Sequence, residues 1–200
     1  MQRVISQDGT AIAYDKLGQG SPIILVDGAF CSRSFGPMPK LAPLLAPHFT
    51  VFAYDRRGRG DSGDTKPYAV EREVEDIAAL INKAGGSASV FGMSSGAALA
   101  LRAGASGLNI HKPALYEPPC MVDTSGHTPP ADHQAQLTRL IAAGRRGDAV
   151  KFFLTKVMDT PAMFFYIMRC MPRWPKMGLF AGPIEMVHSA DPGVTYPSAR

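Results

Sequence analysis

The sequence predicts an α/β fold, with a mostly parallel sheet, helices on both of its faces and a further helical segment after it. Three observations lead there. Over the first 118 residues, strand-like and helix-like segments alternate, the pattern of a sheet built from strand–helix–strand units. Pro22-Ile23-Ile24-Leu25-Val26 is a continuous apolar run, as expected of a strand covered on both faces. After Pro118-Pro119 the composition changes, and 7 of the chain's 10 methionines follow that pair in segments of helical periodicity.

Residues 4–6 and 11–14 flank the turn Asp8-Gly9-Thr10 and read as a hairpin. The apolar run 22–26 is the next strand. A proline-punctuated stretch follows, with a short helix expected over 40–45 and a strand over 50–55. Val70, Val74, Ile77, Ile81 and Ala84 recur three or four apart, on one face of a helix. Glu71, Glu73, Glu75 and Asp76 sit near its amino end, where the helix dipole favours negative charge, and Gly85-Gly86 stops it. A strand over 88–91, a small-residue helix over 95–105 and a strand over 113–117 complete the alternation.

Beyond the proline pair, helices are expected over 132–143 and 148–158, separated by Gly144-Arg145-Arg146-Gly147, with a third over 161–171 opened by Pro161. From Met177 onward periodicity is lost. The division expected is a core over 1–119, a helical segment over 120–176 and an irregular tail over 177–200.

Bulk properties narrow the function classes. The 200 residues suffice for one domain with a sizeable core, and 46% hydrophobic with 19% charged residues is an ordinary globular composition. The net charge of +4 is well mixed along the chain, and the pairs Arg56-Arg57 and Arg145-Arg146 read as solvated surface. Nucleic acid is therefore not an expected partner. Three scattered cysteines, Cys31, Cys120 and Cys170, make neither a disulfide framework nor a zinc pattern. The amino terminus lacks a secretory apolar stretch, and no run spans a bilayer. A cytoplasmic protein with no membrane partner is expected.

The chemistry concentrates in Phe91-Gly92-Met93-Ser94-Ser95-Gly96. A serine hydroxyl is a poor nucleophile until a base takes its proton and donors stabilise the oxyanion that forms. A sharp strand-to-helix turn projects the side chain clear of the sheet and leaves helical N–H groups free. Such a turn tolerates little bulk beside it, which gives glycine two residues before and two after the serine a steric cause. Gly92 and Gly96 fill those positions, centred on Ser94, and Ala97, Ala98 and Ala100 let the helix lie close to the sheet.

At this point the sequence resembles the α/β-hydrolase family, over roughly residues 1–176, and the resemblance implies that the helical segment 120–176 is a lid over the site. Val26-Asp27-Gly28-Ala29 lies where members carry His-Gly and then an oxyanion-loop residue. The resemblance implies Ser94 as nucleophile and the Ala29 and Ser95 backbone N–H groups as the oxyanion hole. Asp27 departs from the usual histidine, and its charge would oppose an oxyanion unless it points away. Tyr54-Asp55-Arg56-Arg57-Gly58-Arg59-Gly60-Asp61-Ser62 resembles the family's post-strand loop, and Leu115-Tyr116-Glu117-Pro118-Pro119 the strand end leading into a lid. Gly58-Arg59-Gly60-Asp61-Ser62-Gly63 also fits a dinucleotide fingerprint, but no helix follows directly, so no cofactor is expected, and with no CxxC pair no metal is expected either.

In this family the acid and the histidine follow the serine. Glu117 is a candidate acid, with a structural carboxylate at the lid hinge as the equal alternative. His111, His127 and His133 read as loop or lid-surface residues, and His188 and Asp191 stand in reverse order in the tail. The Ile184–His188 stretch makes at best one short strand-like run. The chain thus reads as a family member shortened at its carboxy terminus, without the terminal strands, and unable to complete a triad alone. An unpaired sheet edge would invite self-association. The function expected is serine hydrolysis of a small apolar ester or related acyl compound. A non-catalytic ligand-binding protein, and lyase, perhydrolase or carbon–carbon hydrolase chemistry, are the alternatives.

Overall fold

The computed structural model describes residues 1–119 and 127–170. The tail 177–200, with the 184–188 run, His188 and Asp191, lies outside the described residues, as do 120–126 and 171–176 of the segment expected to be a lid. Strands β1 (Gln2–Ile5) and β2 (Ala11–Leu17) form the expected antiparallel hairpin. The Asp8 carboxylate closes its turn by accepting the Thr10 N–H at 3.0 Å. Next come β3 (Ser21–Val26), helix α1 (Met38–Leu45), β4 (Phe49–Tyr54), α2 (Val70–Lys83), β5 (Ala88–Met93), α3 (Ser95–Ala105) and β6 (Ile110–Tyr116). The sheet order is β1-β2-β4-β3-β5-β6, with β4, β3, β5 and β6 parallel.

The continuous apolar run has the position it calls for. β3 lies mid-sheet, and alternate residues serve opposite faces. Ile24 and Val26, with Phe52 and Tyr54 of β4, pack against α2 and α3. Ile23 and Leu25, with Val51 and Ala53, pack against Met38 and Ala42 of α1. Full burial of each of the larger aliphatic and phenylalanine side chains among them is worth about 1.5–3 kcal/mol.

Helix α2 buries Val74, Ile77 and Ile81 as its spacing predicts, but Glu73 and Asp76 share that buried face. Carboxylates can sit there only if they are paired. Their partners correct the sequence reading of Arg56-Arg57 as solvated surface: Arg56 is 2% exposed and Arg57 is 0% exposed. The second arginine pair does stay at the surface, where Arg145 bonds Asp148 at 2.7 Å.

The helical segment holds α4 (His133–Ala142), α5 (Arg146–Phe152), a π turn (Phe153–Val157) and α6 (Ala162–Arg169). The expected 148–158 helix starts earlier, at Arg146, and widens at Phe153. There the Thr155 hydroxyl donates to the Lys151 carbonyl at 2.8 Å, competing for the helical acceptor, and the Met158 N–H reaches back five residues to the Phe153 carbonyl. These elements form their own apolar cluster of Leu137, Ala149, Val150, Phe153, Val157 and Phe165, and the buried residue that joins it from the preceding part of the chain is Phe30. No described helix is long and apolar enough to cross a membrane.

Candidate active site

Because β3, β4 and β5 run parallel, the loops after Val26, Tyr54 and Met93 emerge at one edge of the sheet. Ser94 stands there between β5 and α3, with φ 53° and ψ −125°. A serine held at positive φ carries backbone strain of order 1–3 kcal/mol, tolerated where the surroundings fix it. Those surroundings are visible. The Ser94 N–H donates to the Tyr116 carbonyl of β6 at 2.9 Å, and the Ser94 carbonyl accepts the Ala97 N–H at 2.9 Å. A β-carbon on Gly92 would lie 2.5 Å from the Gly96 carbonyl oxygen, and one on Gly96 would collide with the Val26 and Asp27 carbonyls. The glycine spacing therefore has the steric cause inferred from the sequence.

The loop after β3 passes directly beside this turn: a β-carbon on Gly28 would lie 3.3 Å from the Ser94 β-carbon. Ala29 follows, half-buried, and Phe30 turns the chain with φ 60° while its ring packs edge-on to Phe153 at 5.5 Å. Asp27 is 3% exposed. One carboxylate oxygen accepts the Gly28 N–H at 2.8 Å, and the other faces Cys31 and Gly36. Burial raises its pKa to about 6, opposed by the Gly28 N–H, the Cys31 thiol and the charges of Arg59 and Arg56. Burial and the Asp27 charge push the Cys31 thiol up to about 12, so it is no thiolate nucleophile at neutral pH.

Arginines from the loop after β4 pack underneath. Arg56 forks onto Glu73, with both contacts at 2.7 Å, and its remaining nitrogen donates to the Asp27 carbonyl at 3.3 Å and the Ser95 hydroxyl at 3.1 Å. Arg57 forks onto Asp76 at 2.8 and 2.7 Å and also reaches Asp8 at 2.9 Å. Arg59 donates to the Gly28 carbonyl at 2.6 Å. Asp55 anchors the rim of the site, accepting the Arg33 N–H at 2.7 Å and the Asp61 N–H at 2.9 Å. The sequence reading missed this arginine layer. A signal was there: Glu73 and Asp76 fall on the apolar stripe of α2, where a carboxylate demands a cation.

Of the residues singled out in the sequence, the structure brings Ser94, Ser95 and the Gly28–Ala29 peptide together. Glu117 directly follows Tyr116, whose carbonyl holds Ser94; it has φ 47° and an exposed carboxylate. The described histidines are engaged or exposed elsewhere. His127 bonds the Lys156 carbonyl at 2.9 Å, His133 bonds the Pro130 carbonyl at 2.6 Å, and His48 and His111 are exposed. Among the described residues, no group of three or more His, Cys, Asp or Glu side chains could hold a metal ion.

A model of the alpha/beta hydrolase family matches residues 10–197. An alpha/beta hydrolase from Sphaerobacter thermophilus DSM 20745 is 52% identical, with a TM-score of 0.89 over 98% of this chain and 76% of that one. A malate-bound thermophilic esterase from Thermogutta terrifontis shares the fold at 21% identity and a TM-score of 0.65, over 94% of this chain and 73% of that one. The bottromycin epimerase BotH, in complex with bottromycin A2, shares it at 24% identity and 0.64, over 95% and 74%. With a family match over nearly the whole chain and a solved relative at half identity, this chain belongs to the α/β-hydrolase family.

Proposed function

We propose that this chain is a serine hydrolase acting on a small apolar ester or related acyl compound, with the segment 120–176 as its lid. The observation that carries the reading is Ser94 itself, held at φ 53° at the head of α3 with its β-carbon beside Gly28. Its hydroxyl oxygen attacks the acyl carbon, and the Ala29 and Ser95 N–H groups receive the negative charge that develops on the carbonyl oxygen. The serine proton passes to the departing alkoxide, which leaves as the alcohol, and water then cleaves the acyl-serine, giving the acid and returning a proton to the Ser94 oxygen. The apolar cluster joining Phe30 to Phe153, Val157 and Phe165 supports an apolar acyl group.

Among the described residues the histidines are bonded or exposed elsewhere, which supports a triad that those residues leave incomplete. Without its base, such a site retains roughly 10³–10⁴-fold acceleration over water from the oxyanion hole and binding. Acylation by an activated ester then outruns deacylation. With p-nitrophenyl butyrate the expected result is a burst of about one equivalent of nitrophenolate followed by slow turnover, and no burst in Ser94→Ala. Absence of any Ser94-dependent release overturns the hydrolase reading, and sustained turnover abolished by Ser94→Ala overturns the incomplete triad. The same histidine placement favours, as second reading, a ligand-binding protein without turnover. Ligand-induced thermal stabilisation without product distinguishes it.

A further inference from the structure

Two buried arginines from one loop grip the backbone that the proposed oxyanion hole is made of. In a trans peptide the C=O and N–H point in opposite directions, so holding one fixes the other. The carbonyl that Arg59 holds at 2.6 Å is that of Gly28, and the N–H of the same peptide unit is the Ala29 amide. A guanidinium on that oxygen both aims the Ala29 N–H and polarises it toward stronger donation. Arg56 secures the flanks: the Asp27 carbonyl at 3.3 Å at the end of β3, and the Ser95 hydroxyl at 3.1 Å at the start of α3.

We propose that Arg59 is a positioning residue of the oxyanion hole, orienting and polarising the Ala29 N–H through the Gly28 carbonyl, with Arg56 holding the adjoining Asp27 carbonyl and Ser95 hydroxyl. The assignment rests on the serine hydrolase reading of Ser94. It separates two kinds of buried arginine within one loop. Arg57 is just as buried and just as firmly forked, yet it bonds Asp76, Asp8 and the Arg72 carbonyl and touches neither amide-bearing element. Arg57 is a structural clamp, and Arg59 acts on the reaction through a backbone amide. Arg59 stays protonated at neutral pH although burial and the like charge of Arg56 lower its pKa to about 10.

The test compares Arg59→Met and Arg59→Lys with Arg57→Lys in the full chain, by two readouts. The first is the saturation kinetics of a fluorophosphonate on Ser94. Loss of one oxyanion donor costs about 10²–10³-fold in rate, so a misaimed donor lowers the maximal inactivation rate roughly 10–100-fold in Arg59→Met, with the half-saturating concentration unchanged. Arg59→Lys, which keeps a cation, recovers part of the rate, and Arg57→Lys leaves it unchanged. The second readout is the ¹⁵N shift of the Ala29 amide, which moves in both Arg59 variants and stays in Arg57→Lys. Equal inactivation rates in wild type and Arg59→Met overturn the proposal, as does an equal loss in Arg57→Lys. If the wild type is not labelled at all, the Ser94 reading fails, and the amide shift alone decides: an unmoved Ala29 resonance in both Arg59 variants overturns the positioning role.

Discussion

Asp27 stands where the family resemblance implies a histidine, and its burial has a measurable cost. In the unfolded chain its carboxyl ionises near pH 3.8, and in the native chain near 6, because burial outweighs the Gly28 N–H, the Cys31 thiol and the two arginine charges. Between those values the unfolded chain has released a proton that the native chain still holds, so rising pH favours unfolding. The penalty is absent below about pH 4, grows through pH 6 and is level above it. A separation from 3.8 to about 6 is worth about 3 kcal/mol at roughly 1.4 kcal/mol per pH unit. Asp27→Asn keeps an oxygen for the Gly28 N–H and removes the charge. Urea unfolding of both proteins from pH 4 to 8 should give coincident midpoints at pH 4. At pH 7–8 the variant should be more stable by about 2–3 kcal/mol, with the change centred between pH 4 and 6. All other carboxylates cancel in the difference. A variant less stable at pH 8, or a difference that does not vary with pH, would refute the burial argument.

Other perturbations follow from the same contacts. Gly96→Ala sets a methyl against the Val26 and Asp27 carbonyls, and either the fold loses at least about 1–3 kcal/mol or the Ser94 turn shifts; urea midpoints and Ser94 labelling together report which. Asp76→Ala leaves the Arg57 charge buried without its fork partner and should cost about 3–5 kcal/mol in unfolding free energy, whereas Arg57→Met with Asp76→Leu should recover most of it. The Arg57 guanidinium holds the Asp8 carboxyl well below its ordinary pKa, so stability supplied by that pair is full above about pH 4 and falls as the pH drops further; Asp8→Asn should flatten the acid limb of the wild-type profile. Among the described residues β6 borders the sheet with Leu115 and Tyr116 exposed, so sedimentation should show concentration-dependent self-association that Leu115→Lys weakens; a monomer at all concentrations contradicts this.

The sheet was legible because its signals are local. The 22–26 run has no polar residue to place on an open face, and the α2 stripe at 70, 74, 77 and 81 specifies one apolar side. The Ser94 turn was legible because steric exclusion at Gly92 and Gly96 leaves a mark in residue type. The arginine layer was not, because a charged side chain shows nothing of its partner until the chain folds: Arg56 and Arg57 look like surface residues until Glu73 and Asp76 are seen on the buried side of α2. Phe30 was missed for a related reason, since a non-glycine residue at positive φ leaves no trace in the sequence. No local pattern announces which histidine meets a serine, because that pairing depends on loops far apart in the chain.

Labelling of Ser94 tests the central claim most directly. Incubation of the full chain with an alkyl fluorophosphonate, followed by intact-mass and peptide mass spectrometry, should give a single adduct on Ser94 that is absent in Ser94→Ala. No adduct, or an adduct on another residue that persists in Ser94→Ala, would contradict the account.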